Sequence, residues 1–250
     1  GGVIAAMGTF FVFSDYMKPA VRMAALMQVP VKFIWTHDAF RVGEDGPTHE
    51  PVEQEAQIRL MEKLKNHAGK DSIRVFRPAD ADETTVCWKL AMENTETPTA
   101  LILSRQGIAK LPEGNDYVQA DKGAYIVAGA DERPDVILVA SGSEVSTLVS
   151  GCEALRKDGI KVRVVSAPSE GLFRTQSKAY QEAVLPYDVK KFGMTAGLPV
   201  TLEGLVGIGP NSKVFGMPSF GFSAPYKVLD EKLGYTGENV YRQVKAFLAE

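Results

Sequence analysis

Short apolar, β-rich runs alternate with amphipathic helical stretches along most of this chain, and that alternation narrows the possible folds more than any other feature. Residues 3–13 (VIAAMGTFFVF) read as a strand leading into a helix over about 15–28, where Pro19 is tolerable only near the first turn. A strand at 31–36, a Gly-rich loop at 37–48, a helix at about 50–65, a strand at 73–78, a helix at 82–94 and a strand at 99–104 follow. This is the βαβα order of a mostly parallel sheet covered by helices. The polar stretch 110–122 reads as a linker. The alternation then restarts with a strand at 136–141 and a helix at 144–158 that sets Val145, Leu148, Cys152 and Leu155 on one face. A strand at 162–167 and a helix near 175–185 come next. Residues 188–224 are glycine-rich and yield no element, and a helix at about 237–249 buries Val240, Val244, Phe247 and Leu248.

The fold class expected is α/β, with two three-layer α/β/α domains on mostly parallel sheets, one over 1–120 and one over 121–250. Four strands before the linker are few for such a domain. The first domain is therefore expected to lack an N-terminal strand and helix, which also suits a chain that does not begin with Met. Apolar residues make up 45% of the 250, enough for two cores, and the net charge of -3 comes with dispersed basic residues. No Lys/Arg run could track a nucleic-acid backbone. No segment is long and apolar enough to span a bilayer, and no positively charged leader precedes 1–6, so neither nucleic acid nor membrane is expected and the location expected is cytoplasmic. Cys87 and Cys152, far apart and without metal spacing, read as reduced buried thiols.

The chemistry concentrates in 36–51, THDAFRVGEDGPTHEP, directly after a buried-looking strand. In open α/β sheets ligands gather beyond the carboxyl ends of strands. Two of the three histidines, His37 and His49, lie here among acids, while Gly43, Gly46 and Pro47 allow tight turns. By composition alone the stretch reads equally well as a surface loop whose acids cap the next helix. A zinc site lacks a close third ligand, and no metal ligand is assigned.

The run HDAFRVGEDGPTHEPVEQ resembles the transketolase signature. Upstream, GGVIAAMGTFFVFSDYMKPAVRMAAL resembles the start of that family's pyrimidine-binding domain, and PTALILSRQ its last strand. ASGSEV, KVRVVSAPS and FGFSAP resemble the family's C-terminal domain, so the likeness covers essentially the whole chain. The resemblance implies a thiamine-diphosphate enzyme that moves a two-carbon ketol unit from a ketose phosphate to an aldose phosphate in the pentose phosphate pathway. It implies that Phe10, Phe13 and Tyr16 enclose the aminopyrimidine ring, where aromatic faces suit a flat heterocycle. His37 and Arg105 would bind the sugar phosphate, the guanidinium offering a fork of donors. Asp45 would bond a substrate hydroxyl. His49 would stand near the reacting atoms, so that His49 and His37 are the catalytic candidates. A homodimer is implied as well.

The chain also departs from the pattern. The family's proton-abstracting Glu falls before Gly1, and the domain that holds the diphosphate and its Mg (or Ca) has no counterpart here. The chain is therefore expected to be inactive alone, completed by the missing N-terminal domain. Two other readings are a naturally split transketolase's small subunit and a non-catalytic dimerisation module. Phe40 and Arg41 replace a small or aliphatic pair, and Glu50 stands where Gln is usual. Ser141 or Ser143 reads as an N-cap more readily than as an anion site. Gly204–Gly221 contains no G-x-G-x-x-G, and His67 reads as a loop residue.

Overall fold

A computed structural model describes residues 2–129 and 132–250. In the first half, β1 (Ala6–Phe10), α1 (Ser14–Met27), β2 (Lys32–Thr36), α2 (Gln54–Glu62), β3 (Arg74–Phe76), α3 (Ala81–Glu93) and β4 (Thr99–Ile102) follow in chain order. Their strands form a fully parallel sheet in the order β1-β2-β4-β3. Burial on both faces explains why the central strands β2 and β4 are mostly apolar runs rather than alternating ones, whereas the edge strand β1 is largely exposed. Phe33, Trp35, Val75, Ala100 and Ile102 pack with Phe11, Val21, Ala24 and Ile58 on one side. Phe76 and Leu101 pack with Cys87 and Ala91 on the other.

The second half contains β5 (Tyr125–Ala128), β6 (Val136–Ala140), α4 (Glu144–Lys157), β7 (Val162–Ser166), α5 (Glu170–Arg174), α6 (Lys178–Val184), β8 (Lys190–Met194), α7 (Val200–Val206), β9 (Ser212–Phe215), α8 (Tyr226–Leu233) and α9 (Gly237–Ala249). Its sheet runs β5-β7-β6-β8-β9, with β5 antiparallel to β7 and the other pairs parallel. Along β6 the period of two is plain. Val136, Leu138 and Ala140 join the core under α4 and α9, and Ile137 and Val139 join the core under α5 and α7. Helices α4 and α9 approach closely at Gly151, where a Cβ would lie 2.6 Å from a Val240 methyl. The architecture is α/β, two mostly parallel sheets flanked by helices, as the alternation implied.

Several elements differ from expectation. Pro19 is the sixth residue of α1, beyond the first turn. Its ring lies on the exposed side, where the carbonyl that loses its donor can be hydrated. The linker ends in a 3-10 turn (Tyr117–Lys122) and is followed by β5, which sequence reading passed over. The stretch 188–224 holds β8, α7 and β9, each short, with lysines and glycine interrupting any periodicity. The helix expected near 175–185 is α6, begun by the Ser177 side chain accepting from the Tyr180 N–H, and the short α5 before it was not anticipated. Ser143 does occupy the N-cap of α4, but its hydroxyl caps nothing and bonds Glu144 and Arg41 instead. Among the described residues, no helix is long and apolar enough to cross a membrane. Cys87 and Cys152 are free and buried, and burial pushes the Cys152 thiol up to about 11.

The two sheets are joined through buried ions. Arg77, the residue after β3, directs Nε and Nη2 at Asp38 Oδ2 (3.0 and 2.7 Å). Its Nη1 donates to the Ser141 carbonyl at 2.9 Å and pairs with Glu144 at the start of α4. Arg41 bonds the same Glu144 (2.7 Å), Ser143 Oγ (2.9 Å) and Asp230 of α8 (2.7 Å). Burial alone would raise the Glu144 carboxyl, but the Arg77 and Arg41 charges outweigh it and hold the group below the usual range. The backbone joins in, with Arg77 N–H donating to Pro168 O and Gly142 N–H to Arg77 O. Arg77 has 1% of its surface exposed, so removing it strands Asp38 in a dry site and leaves Glu144 with Arg41 as its remaining buried cation. Arg77→Met should cost roughly 3–5 kcal/mol in urea unfolding of the chain. A loss below 1 kcal/mol would show that water reaches the junction.

Candidate active site

Strands β1, β2 and β4 are parallel and in register, with Phe10 opposite Thr36 and Trp35 opposite Ile102. The segments after them must therefore emerge along one sheet edge. These segments carry Phe10–Tyr16, His37–His49 and Arg105, which explains how three distant stretches of chain converge.

At this edge Phe10 stacks on His37, with ring centroids 3.6 Å apart and planes 14° from parallel. His49 meets Phe13 edge-on at 5.4 Å and Phe10 at 6.3 Å. Phe13 in turn neighbours Tyr16 at 6.2 Å, and Tyr16, 84% exposed, forms the open rim of the cluster. The backbone of His37 has φ +61°, a left-handed conformation that only a well-supported site imposes on a non-glycine residue. Support comes from the Phe10 ring, from Thr36 Oγ1 at 2.9 Å from Nδ1, and from the neighbouring Asp38 clamped by Arg77. Gly43 (φ +91°) and Gly46 (φ +72°) then turn the loop back, with His49 N–H bonded to Gly46 O.

The charge pattern suits a small anion. Burial and the Arg105 charge lower the His37 pKa, against a smaller upward pull from Asp45 and Asp38, so the ring is neutral at pH 7. Arg105 is exposed and makes no ion pair among the described residues. An unpaired guanidinium beside a neutral imidazole can receive a phosphate. Asp45 is exposed on the same turn, and the His49 Nδ1 lies 2.8 Å from Thr48 Oγ1. The structure thus brings together all seven residues singled out in the sequence: Phe10, Phe13, Tyr16, His37, Asp45, His49 and Arg105.

The unusual residues of the loop fare differently. Phe40 leaves the edge entirely and packs on Tyr235 of the second half at 4.7 Å. Arg41 is consumed by Glu144 and Asp230. Glu50 is buried with no hydrogen-bond partner for its carboxylate among the described residues. His67 is an exposed loop residue. Sequence reading missed the Arg77–Asp38–Glu144 support, because a strand-ending Arg carries no sign of burial. The only available signal was the Asp beside His37.

Two family descriptions match this chain: "Transketolase, pyrimidine binding domain" over residues 1–110 and "Transketolase-like TK C-terminal domain" over residues 123–236. The chain belongs to the transketolase family. It is 46% identical over 254 residues to the transketolase of Halalkalibacterium halodurans, covering 99% of this chain and 36% of that one. A solved transketolase from Leishmania mexicana superposes with a TM-score of 0.87 at 38% identity, over 99% of this chain and 34% of that one. A transketolase from Pichia stipitis in complex with sedoheptulose 7-phosphate gives 0.85 at 36% identity, over 98% and 34%. A split-gene transketolase, described as an inactive β4 tetramer, gives 0.74 at 24% identity, over 99% and 77%; at that identity it shows the fold alone. The chain thus spans about a third of the length of the full transketolases it matches. The family depends on thiamine diphosphate. The open aromatic rim of Phe13 and Tyr16 suits the cofactor's pyrimidine ring. Among the described residues no group of three or more metal-ligating side chains stands together.

The electrostatics can be checked directly. Arg105→Ala should raise the His37 titration midpoint and Asp45→Asn should lower it, both followed by NMR of the imidazole resonances. No movement in either variant would place these charges away from the ring.

Proposed function

We propose that this chain is the pyrimidine-binding and C-terminal portion of a transketolase, divided near residue 120, which transfers a two-carbon ketol unit from a ketose phosphate to an aldose phosphate in the pentose phosphate pathway. The observation that carries the reading is the meeting of the Phe10–Phe13–His37–His49 cluster with the exposed Arg105 at one sheet edge. A relative solved with sedoheptulose 7-phosphate supports the substrate class.

In this reading Phe10, Phe13 and Tyr16 hold the pyrimidine ring of thiamine diphosphate, which supplies an electron sink for the transferred unit. Its diphosphate and its Mg (or Ca) belong to the family's N-terminal domain. Arg105 and the neutral His37 grip the sugar phosphate and fix how far the ketose enters. Asp45 accepts from a sugar hydroxyl and so selects stereochemistry. His49, braced by Thr48 and the edge of Phe13, stands where protons are exchanged at the substrate oxygen. The assembly is a cytoplasmic homodimer in which this edge faces the diphosphate domain of the partner.

The chain alone should show no ketol transfer from xylulose 5-phosphate to ribose 5-phosphate, and transfer should appear once the N-terminal domain is supplied. In that assembly Arg105→Gln should raise KM for the ketose phosphate roughly ten- to a hundred-fold with a smaller change in kcat, the loss of a charge-assisted bond to phosphate. An unchanged KM would instead mark the chain as a non-catalytic assembly module.

A further inference from the structure

Glu50 follows His49 directly and is 2% exposed, yet neither carboxylate oxygen has a hydrogen-bond partner among the described residues. Such a group is costly to bury as an anion and is seldom kept without a reason. Its surroundings are the underside of the substrate-facing turn and one segment of the second half. The backbone N–H groups of Gly43 and Phe222 face it without completing hydrogen bonds. Any side chain at Gly221 would overlap its Oε2. The same two segments touch elsewhere. Ser223 Oγ donates to Glu44 O at 2.6 Å, a Cβ at Gly46 would lie 3.0 Å from Ser223 Cβ, and one at Gly43 3.5 Å from Ala224 O. The turn that presents Asp45 and His49 is thus seated on residues 221–224, with Glu50 beneath it.

We propose that Glu50 is a positioning residue: protonated, it lets the Asp45–His49 turn sit on the second half of the chain, and on losing its proton to solvent it favours lifting of the turn. The link to sugar binding rests on the function proposed above; the seating itself does not. Burial is the dominant influence on this carboxyl and pushes it up to about 7, opposed by the Phe222 and Gly43 N–H groups. The titratable and charged groups on the surrounding elements are Glu44, Asp45 and His49 on its own loop, Glu53 before α2, and Tyr226, Lys227 and Asp230 on α8. None of them contributes to its shift. The sign follows from linkage. A carboxyl held near 7 when seated and at its ordinary value when hydrated disfavours the seated state as pH rises through that window.

Hydrogen exchange of the purified chain reads this without any activity. The Gly46 and His49 amides, bonded to Gly43 O and Gly46 O, report the turn. Their protection, corrected for intrinsic exchange, should fall about ten-fold from pH 6 to pH 8. Glu50→Gln, which keeps shape but cannot ionise, should abolish that dependence. Ser223→Ala, which loosens the seat without touching the charge, should lower protection equally at both pH values. A pH response that survives in Glu50→Gln, or a flat response in the unaltered chain, overturns the proposal. In the completed enzyme KM for the ketose phosphate should rise over the same window and lose that rise in Glu50→Gln. If exchange follows the expected pattern and KM does not, the seating holds and the assigned sugar site is wrong.

Discussion

The guanidinium of Arg77 is the contact on which the rest of this molecule depends. It is a cation sealed between two sheets, and such a charge is tolerable only if every direction around it is answered by an acceptor. Asp38, in the loop after β2, and the Ser141 carbonyl and Glu144, at the junction of β6 and α4, supply those acceptors. Because one of them is the residue next to His37, satisfying the buried charge also dictates where the site loop begins. Arg41 repeats the device a few residues on, tying the same loop to α4 and α8 through Glu144 and Asp230. The ions therefore orient the two halves more than they stabilise them, since a well-packed apolar junction could be equally stable but would not hold one residue of the loop in a left-handed conformation.

Within that frame the site is a consequence of parallel strand order. Strands that run the same way deliver their following loops to one edge, and the in-register pairing of β1, β2 and β4 sets those loops side by side. Aromatic rings fill the space between them, and the polar groups stand at the rim. Arg105 makes no ion pair there among the described residues, whereas Arg41 and Arg77 are consumed internally. Whether an arginine stays exposed or is enclosed is decided here by its position relative to the sheet edge, and by nothing in the residue itself.

Much of this was legible in the order of residues. The strong apolar runs at β2, β4, β6 and β7 and the one-sided helices α4 and α9 were readable because burial on defined faces imposes a period. The loop His37–His49 drew attention by its glycines, acids and histidines, but composition left it equally a surface loop, and its resemblance to the transketolase signature is what singled it out. The short strands β8 and β9 escaped because lysine and glycine interrupt them; they are strands by virtue of their neighbours rather than their own preference. The N-cap role of Ser143 failed for a similar reason. A local bond to its own helix lost to Arg41, a partner 102 residues away.

The sequence by itself determined the class of fold, because hydrophobic periodicity acts over a few residues and leaves its mark in order and spacing, while the family and the seven residues of the edge were singled out by the resemblance of several long motifs to transketolase. Only the tertiary structure decided what became of the charges. Arg41, Arg77 and Glu50 look like ordinary surface residues in a list. Each is buried because of what arrives from the other half of the chain, and the cost of burying a charge is set by surroundings that no local pattern encodes.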